Sequence, residues 1–208
     1  MRPPPTCPRC GGPLRAPGLW SSAWACDVHG DVQPLQPAVA LSPEGLRSFA
    51  AESRVPLWLP WPLPLGWLVT GLTYAGDDRT GAHATVVVCS GPAPLGGAAD
   101  LMVMAEEPGI GVGARFAGLP GPDPGDGFMT GPPTVKAHTA GHVIALWEVM
   151  GEADRSVYVG EARGHWLWMV TWPETASLML YSRLHLVDLR EAAYPADVPF
   201  GARSPRLA

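Results

Sequence analysis

Lysine is nearly missing from this 208-residue chain: of its 14 basic residues only Lys136 is a lysine, and the rest are arginines. Charge of either sign is scarce, at 16% of residues against roughly 25% in ordinary domains. Acidic residues outnumber basic ones, 19 to 14. A mildly acidic chain without a basic stripe lacks the electrostatic footprint of a nucleic-acid binder. Proline-free apolar runs are missing too. Residues 55–76 carry no charge and would be long enough to span a bilayer, but Pro56, Pro60, Pro62 and Pro64 break the first half. No membrane span is expected. Cysteine is limited to Cys7, Cys10, Cys26 and Cys89. Three of these sit in metal-ligand spacing, which fits a reducing cytoplasm better than a disulfide scaffold. The first residues lack the apolar core of a secretory signal, so none is expected.

Glycine and proline are abundant instead, with 25 of each. Together they approach the range of low-complexity disorder. Against that stand 47% hydrophobic residues, nine tryptophans and a net charge of only −5, enough apolar surface to offset chain entropy. The excess is also regional. Residues 1–64 hold 18 of the 50, residues 65–134 hold 23 and residues 135–208 hold 9. A folded protein is expected, with long loops in its middle third and the steadiest strands in its last.

The strongest chemical signal is at the start. Residues 7–12 read CPRCGG and residues 26–30 read CDVHG. Each ligand pair, Cys7 with Cys10 and Cys26 with His29, brackets a tight turn followed by a glycine, Gly11 or Gly30, where the chain can bend without a Cβ clash. Three thiolates and an imidazole make a closed tetrahedral set, and closed sets are structural, because catalytic zinc keeps an open position. One structural Zn²⁺ per chain is therefore expected, with iron a lesser alternative. About forty residues cannot build a sufficient core alone, so a metal staple has a physical reason. Residues 14–16 and 22–25 are expected as short strands around a Pro17-Gly18 turn.

This segment resembles the zinc-ribbon family, through Cys7, Pro8, Cys10, Gly11, Cys26, His29 and Gly30. Zinc ribbons serve in nucleic-acid binding, in protein contacts and as braces. Here Arg2, Arg9 and Arg15 face Asp27 and Asp31, and the metal with three thiolates adds about −1. Near-neutrality argues against nucleic acid as the partner. Leu19, Trp20 and Trp24 are apolar candidates to cover the main domain or a partner.

A proline-containing connector follows. Ser42 as N-cap, Pro43 at the first helical position and Glu44 in the first turn predict a short helix from Pro43 to about Ser53. Residues 56–67, PLWLPWPLPLGW, then alternate tryptophan with proline. Two readings are open: an aromatic ledge for a ligand or protein, or an apolar arm packed across a sheet.

From Trp67 on the pattern is strand and turn. Strands are expected at residues 66–74, 83–89 and 101–105, with a long loop over 118–133. A meander is expected over residues 142–149, 156–162 and 165–172. In its last strand Trp166, Trp168 and Trp172 share one face and Leu167 and Met169 the other, the pattern of a covered central strand. Residues 176–190 partly fit a helix, although Leu184-His185-Leu186 alternates like a strand; the helix is the reading taken. The expected fold class is α+β: a small N-terminal zinc ribbon (1–37), a linker, helix and Trp/Pro arm (38–66), a mostly antiparallel sheet domain with one or two helices (67–194) and an irregular tail (195–208).

No catalytic constellation stands out. Asp77 and Asp78 suit a polar hairpin turn better than a cation site. Ser90 lacks the preceding glycine of a nucleophile turn. Cys89 reads as a buried inert thiol. His138 and His142 have no third ligand nearby. The glycine run 109–113 lacks the lysine of a phosphate cradle. Candidates for a ligand or partner surface are Trp58, Trp61, Asp77, Asp78, Arg79, Arg163 and His165. The whole chain also resembles an uncharacterised family of high-GC bacteria, through CPRCGG, CDVHG, VPLWLPWPLPLGW, GDDR, CSGPAPLGG and GEARGHWLW. That resemblance implies a coherent two-part protein and supplies no function. The reading is a non-enzymatic zinc-binding protein with a β-rich domain that binds a protein or small ligand in a regulatory role. The alternatives are an enzyme using Asp77, Asp78, Arg79, Glu161, Arg163 and His165, or a nucleic-acid binder acting through the ribbon. Oligomeric state is left open.

Overall fold

The computed structural model describes residues 3–19, 21–39, 41–182, 184–191 and 197–207. Trp20 lies outside them. Two short strands near the N-terminus, β1 (Trp24–Cys26) and β2 (Gly30–Val32), pair antiparallel. After them come α1 (Pro43–Glu52), β3 (Trp58–Pro60), β4 (Leu68–Asp77), β5 (Gly81–Pro92), β6 (Ala98–Glu106) and α2 (Val112–Ala117). The last third holds β7 (Val135–Thr139), β8 (His142–Val149), β9 (Ser156–Ala162), β10 (His165–Trp172), a 3-10 helix (Glu174–Tyr181) and β11 (Leu184–Asp188). Among the described residues β3 to β11 form one nine-stranded sheet, in the order β3-β11-β7-β8-β9-β10-β6-β5-β4. Its pairs are antiparallel except β7 with β11. No helix among the described residues is long and apolar enough to cross a membrane.

Strand accounts for 41% of the chain and helix for 14%, so the fold is mostly β rather than the α+β expected. The difference lies in residues 174–188. The supposed apolar helix face is half outward, with Leu178 at 49% exposure and Tyr181 at 57%. What decides the segment is period two: Leu184, Leu186 and Asp188 are buried in alternation. Hydrogen-bonded neighbours on both sides, β7 and β3, then outweigh a weak helical pattern. β7 itself, with inward Val135, Ala137 and Thr139, was too short and polar to be read as a strand. The meander of β8, β9 and β10 has the expected bounds.

The sheet is covered on both faces. One face, which carries Leu167 and Met169 of β10, packs on Leu46 and Ala50 of α1 and on Leu57. The other, which carries Trp168, Val170 and Trp172 of β10, packs on Val112, Ala114 and Ala117 of α2. The sheet curls enough for β3, first in the strand order, to contact β6. The Trp/Pro segment thus joins the sheet through β3, and its side chains pack into the core instead of forming an exposed ledge. Trp58 is 1% exposed, a correction to its place among surface candidates. Its indole is core material, under the Arg163 guanidinium at 5.4 Å. Trp61 is partly buried against the same core. Helix α1 starts as expected: the Ser42 hydroxyl accepts from the Gly45 N–H at 3.0 Å.

The glycine run serves backbone geometry. Gly111 caps α2 at φ +92°, and a Cβ on Gly113 would stand 2.4 Å from the Trp168 indole. Gly113→Ala is expected to cost about 2 kcal/mol through overpacking, read as a lower urea midpoint with an unchanged slope. Glu106, fully buried, accepts from the Val112 N–H at 2.8 Å and from the Gly113 N–H at 3.3 Å. Burial pushes its carboxyl from 4.5 up to about 7, against the pull of those amides. Between these two values the folded state holds a proton that the unfolded chain has released, so stability falls as pH rises through that window. The loss from pH 4.5 to 8 is expected to be about 3 kcal/mol. Glu106→Gln is expected to flatten it, as checked by urea unfolding across pH.

Candidate metal centre

Cys7 and Cys10 bracket a turn closed by Gly11 N–H to the Cys7 carbonyl (2.8 Å) and Cys7 N–H to the Gly12 carbonyl (2.8 Å). The Gly12 amide also reaches the Cys10 sulfur at 3.4 Å. Cys26 ends β1, and His29 lies in the turn into β2. The regular hairpin therefore wraps the second ligand pair. Of the strands expected at residues 14–16 and 22–25, the second is met in part by β1, which pairs with β2; the first reduces to one bridge, Arg15 with Ala25, beyond which Gly18 faces Ser21. The loop between the ligand pairs is too exposed for longer strands to gain by packing.

The ligand atoms of Cys7, Cys10, Cys26 and His29 all lie within 4.8 Å of one another and could hold a metal ion. Cys10 Sγ is 3.8 Å from Cys26 Sγ. His29 Nδ1 is 3.6 Å from the sulfurs of both Cys7 and Cys26. No cysteine is in a disulfide. Burial raises the Cys7 thiol, whereas the backbone N–H of Val28, then that of His29, lower Cys26. Among the described residues no other group of three or more His, Cys, Asp or Glu could hold a metal. His138 stacks on His185, at 5.5 Å between ring centroids.

The N-terminal segment is tied to the sheet around this centre. Arg9, between the first two cysteines, donates to the Gly109 carbonyl at 2.6 Å. Trp24 Nε1 donates to Asp77 at 3.1 Å, and Arg79 to the Ser22 carbonyl at 2.6 Å. The expected connector runs along β4: Gln36 N–H bonds the Tyr74 carbonyl and Val39 N–H the Leu72 carbonyl. Arg115 of α2 lies against the first turn, since a Cβ on Gly11 would meet its Nη2 at 2.6 Å. Neither Arg9 nor Arg115 was flagged by sequence, because only folding brings α2 under the cysteines.

The comparison with known families adds one finding. The model of a family of unknown function, DUF6758, matches residues 1–207. The chain belongs to that family. No curated protein and no solved structure matches it. The family places the Cys/His cluster and the sheet within one unit of sequence, and the remaining candidates are weighed by geometry.

Asp77 caps its turn, accepting from Thr80 N–H at 2.9 Å; Asp78 is exposed. Arg163 bonds Asp188 at 3.0 Å and also reaches Glu191. His165 Nδ1 is 2.8 Å from the Arg163 carbonyl, and Glu161 is exposed. The turn between β4 and β5 and the turn between β9 and β10 lie three strand spacings apart in the sheet order, about 14 Å along the sheet. The two groups take different partners. Ser90 donates to Asp100 at 2.5 Å with no imidazole beside it. Burial pushes the Cys89 thiol up to about 12, out of reach of nucleophilic chemistry.

Proposed function

We propose that the chain is a non-enzymatic zinc-binding protein in which residues 1–37 form a zinc ribbon with one structural ion. The metal fastens the ribbon to a sheet domain that binds a small ligand or a protein. The observation that carries this is the donor geometry. Two thiolates about 2.3 Å from a tetrahedral zinc stand about 3.8 Å apart, and a thiolate and an imidazole nitrogen about 3.6 Å. The Cys10–Cys26 separation is 3.8 Å and the Cys26–His29 separation 3.6 Å. Four protein donors leave no open position, which supports a structural role. Ligating thiolates are stable in a reducing compartment, in keeping with the cytoplasm.

Metal analysis of the purified chain tests the reading. About one zinc per chain is expected, and Cys26→Ser is expected to lose it. A wild-type chain that purifies without zinc and takes up none overturns it.

A further inference from the structure

A cavity of about 240 Å³ lies where the N-terminal segment, the connector along β4, α2 and the C-terminal tail meet. Its volume equals about eight waters of liquid at about 30 Å³ each. Three arginines line it, Arg115 and the exposed Arg203 and Arg206, and among the described residues no acidic side chain does. Leu35, Phe116 and Leu207 add an apolar wall. A small cavity that gathers three cations in a chain of net charge −5 is not explained by the average surface.

The partners of the three arginines differ. Arg115 Nη1 is buried without a hydrogen-bond acceptor among the described residues. The negative charge of a zinc tris-thiolate centre would balance one guanidinium, and Arg115 is the one beside it. Arg206 lies 3.6 Å from Asp100 and 5.0 Å over the Trp172 ring. Arg203 makes no ion pair among the described residues. Two cations thus retain donor capacity at the cavity. A guanidinium fork matches the two oxygens of a carboxylate or phosphate.

We propose that this cavity binds a small organic oxyanion, a carboxylate or phosphate group on a short apolar body. The oxyanion takes the arginine side and the apolar body lies along Leu35, Phe116 and Leu207. The proposal rests on the metal-braced docking above, because Thr6 and Gly11 form part of the wall. It names the ligand class that the sheet domain and ribbon bind together.

The test is calorimetric titration of the full metal-loaded chain with benzoate, phenyl phosphate and inorganic phosphate. Saturable binding of benzoate or phenyl phosphate, tighter than that of inorganic phosphate, is the expected result. Whichever organic probe binds more tightly identifies the anionic group. Arg203→Gln is expected to weaken binding about tenfold, the usual effect of losing a charged hydrogen bond, and Arg203→Lys to weaken it less. Arg206→Gln is expected to act in the same direction. No saturable binding by either organic probe up to about 10 mM, a bound equivalent to very weak association, overturns the proposal. So does binding that Arg203→Gln and Arg206→Gln leave unchanged, or inorganic phosphate binding as tightly as the organic probes. Metal content on the same samples separates the two readings. A fully metallated chain that binds neither organic probe overturns the cavity alone. A metal-free chain that binds with the expected arginine dependence supports the cavity and overturns the metal brace.

Discussion

In the zinc-bound form proposed above, removing the metal is expected to free residues 3–39 from the sheet while the centre of the sheet stays folded. The segment has little to hold it otherwise. Its named strands are three residues each, and Leu19 and Val28 are exposed at 98% and 77%. Its buried residues are Cys7, Pro8, Cys26, Pro34 and Leu35. A structural zinc in such a setting supplies on the order of 10 kcal/mol. The docking bonds of Arg9, Trp24 and Arg79 are partly exposed and are worth roughly 1 kcal/mol each. Chelation should therefore expose the amides of Leu35, Gln36 and Val39, whose acceptors are Thr6, Tyr74 and Leu72. Those of β5, β6 and β10 should stay protected. Hydrogen exchange followed by mass spectrometry reads this directly, and Cys26→Ser should give the same map. Undiminished protection of residues 35–39 in the metal-free chain would show that docking does not need the ion.

Asp188→Ala is expected to cost about 3–5 kcal/mol, the penalty of removing one partner from a buried ion pair. The Asp188 side chain has no solvent exposure. It accepts from Leu57 N–H at 3.2 Å, from Arg163 Nη1 at 3.0 Å and from Arg190 Nη2 at 2.7 Å. One carboxylate thereby ties the start of β3, the end of β11 and the turn between β9 and β10. Its loss leaves two guanidiniums facing each other and a buried N–H without an acceptor. Burial by itself would raise this carboxyl, but the bonds from Arg190, then Leu57, hold it below its ordinary value. Its contribution is present above about pH 4 and is lost as pH falls through the depressed folded value. Urea midpoints of the wild type and Asp188→Ala should converge in strong acid. A loss below about 1 kcal/mol at neutral pH would mean that the arginines find water instead.

These residues mark where sequence reasoning reached its limit. Asp188 lies in a stretch whose pattern suggests a helix, and besides the neighbouring Arg190 its partners are 25 and 131 positions away. Arg163 was singled out as part of a possible ligand surface, and in the fold it also caps the Trp58 ring. The Cys/His cluster, by contrast, is legible because each pair lies within four residues and tight-turn geometry allows few alternatives. The helix Pro43–Glu52 was legible for the same local reason, a capping serine followed by proline and glutamate.

Local sequence is enough to read the Cys/His cluster that could hold a metal, the capped helix, the meander of β8 to β10 and the two-faced burial of the last meander strand. Each follows from interactions within a few residues or from the period of apolar side chains. Only the tertiary structure decided that β11 is a strand, that Trp58 is core, that Arg115 sits beneath the cysteines and that three arginines share one cavity. Those outcomes depend on which distant segments meet when the sheet curls, and no local pattern encodes that meeting.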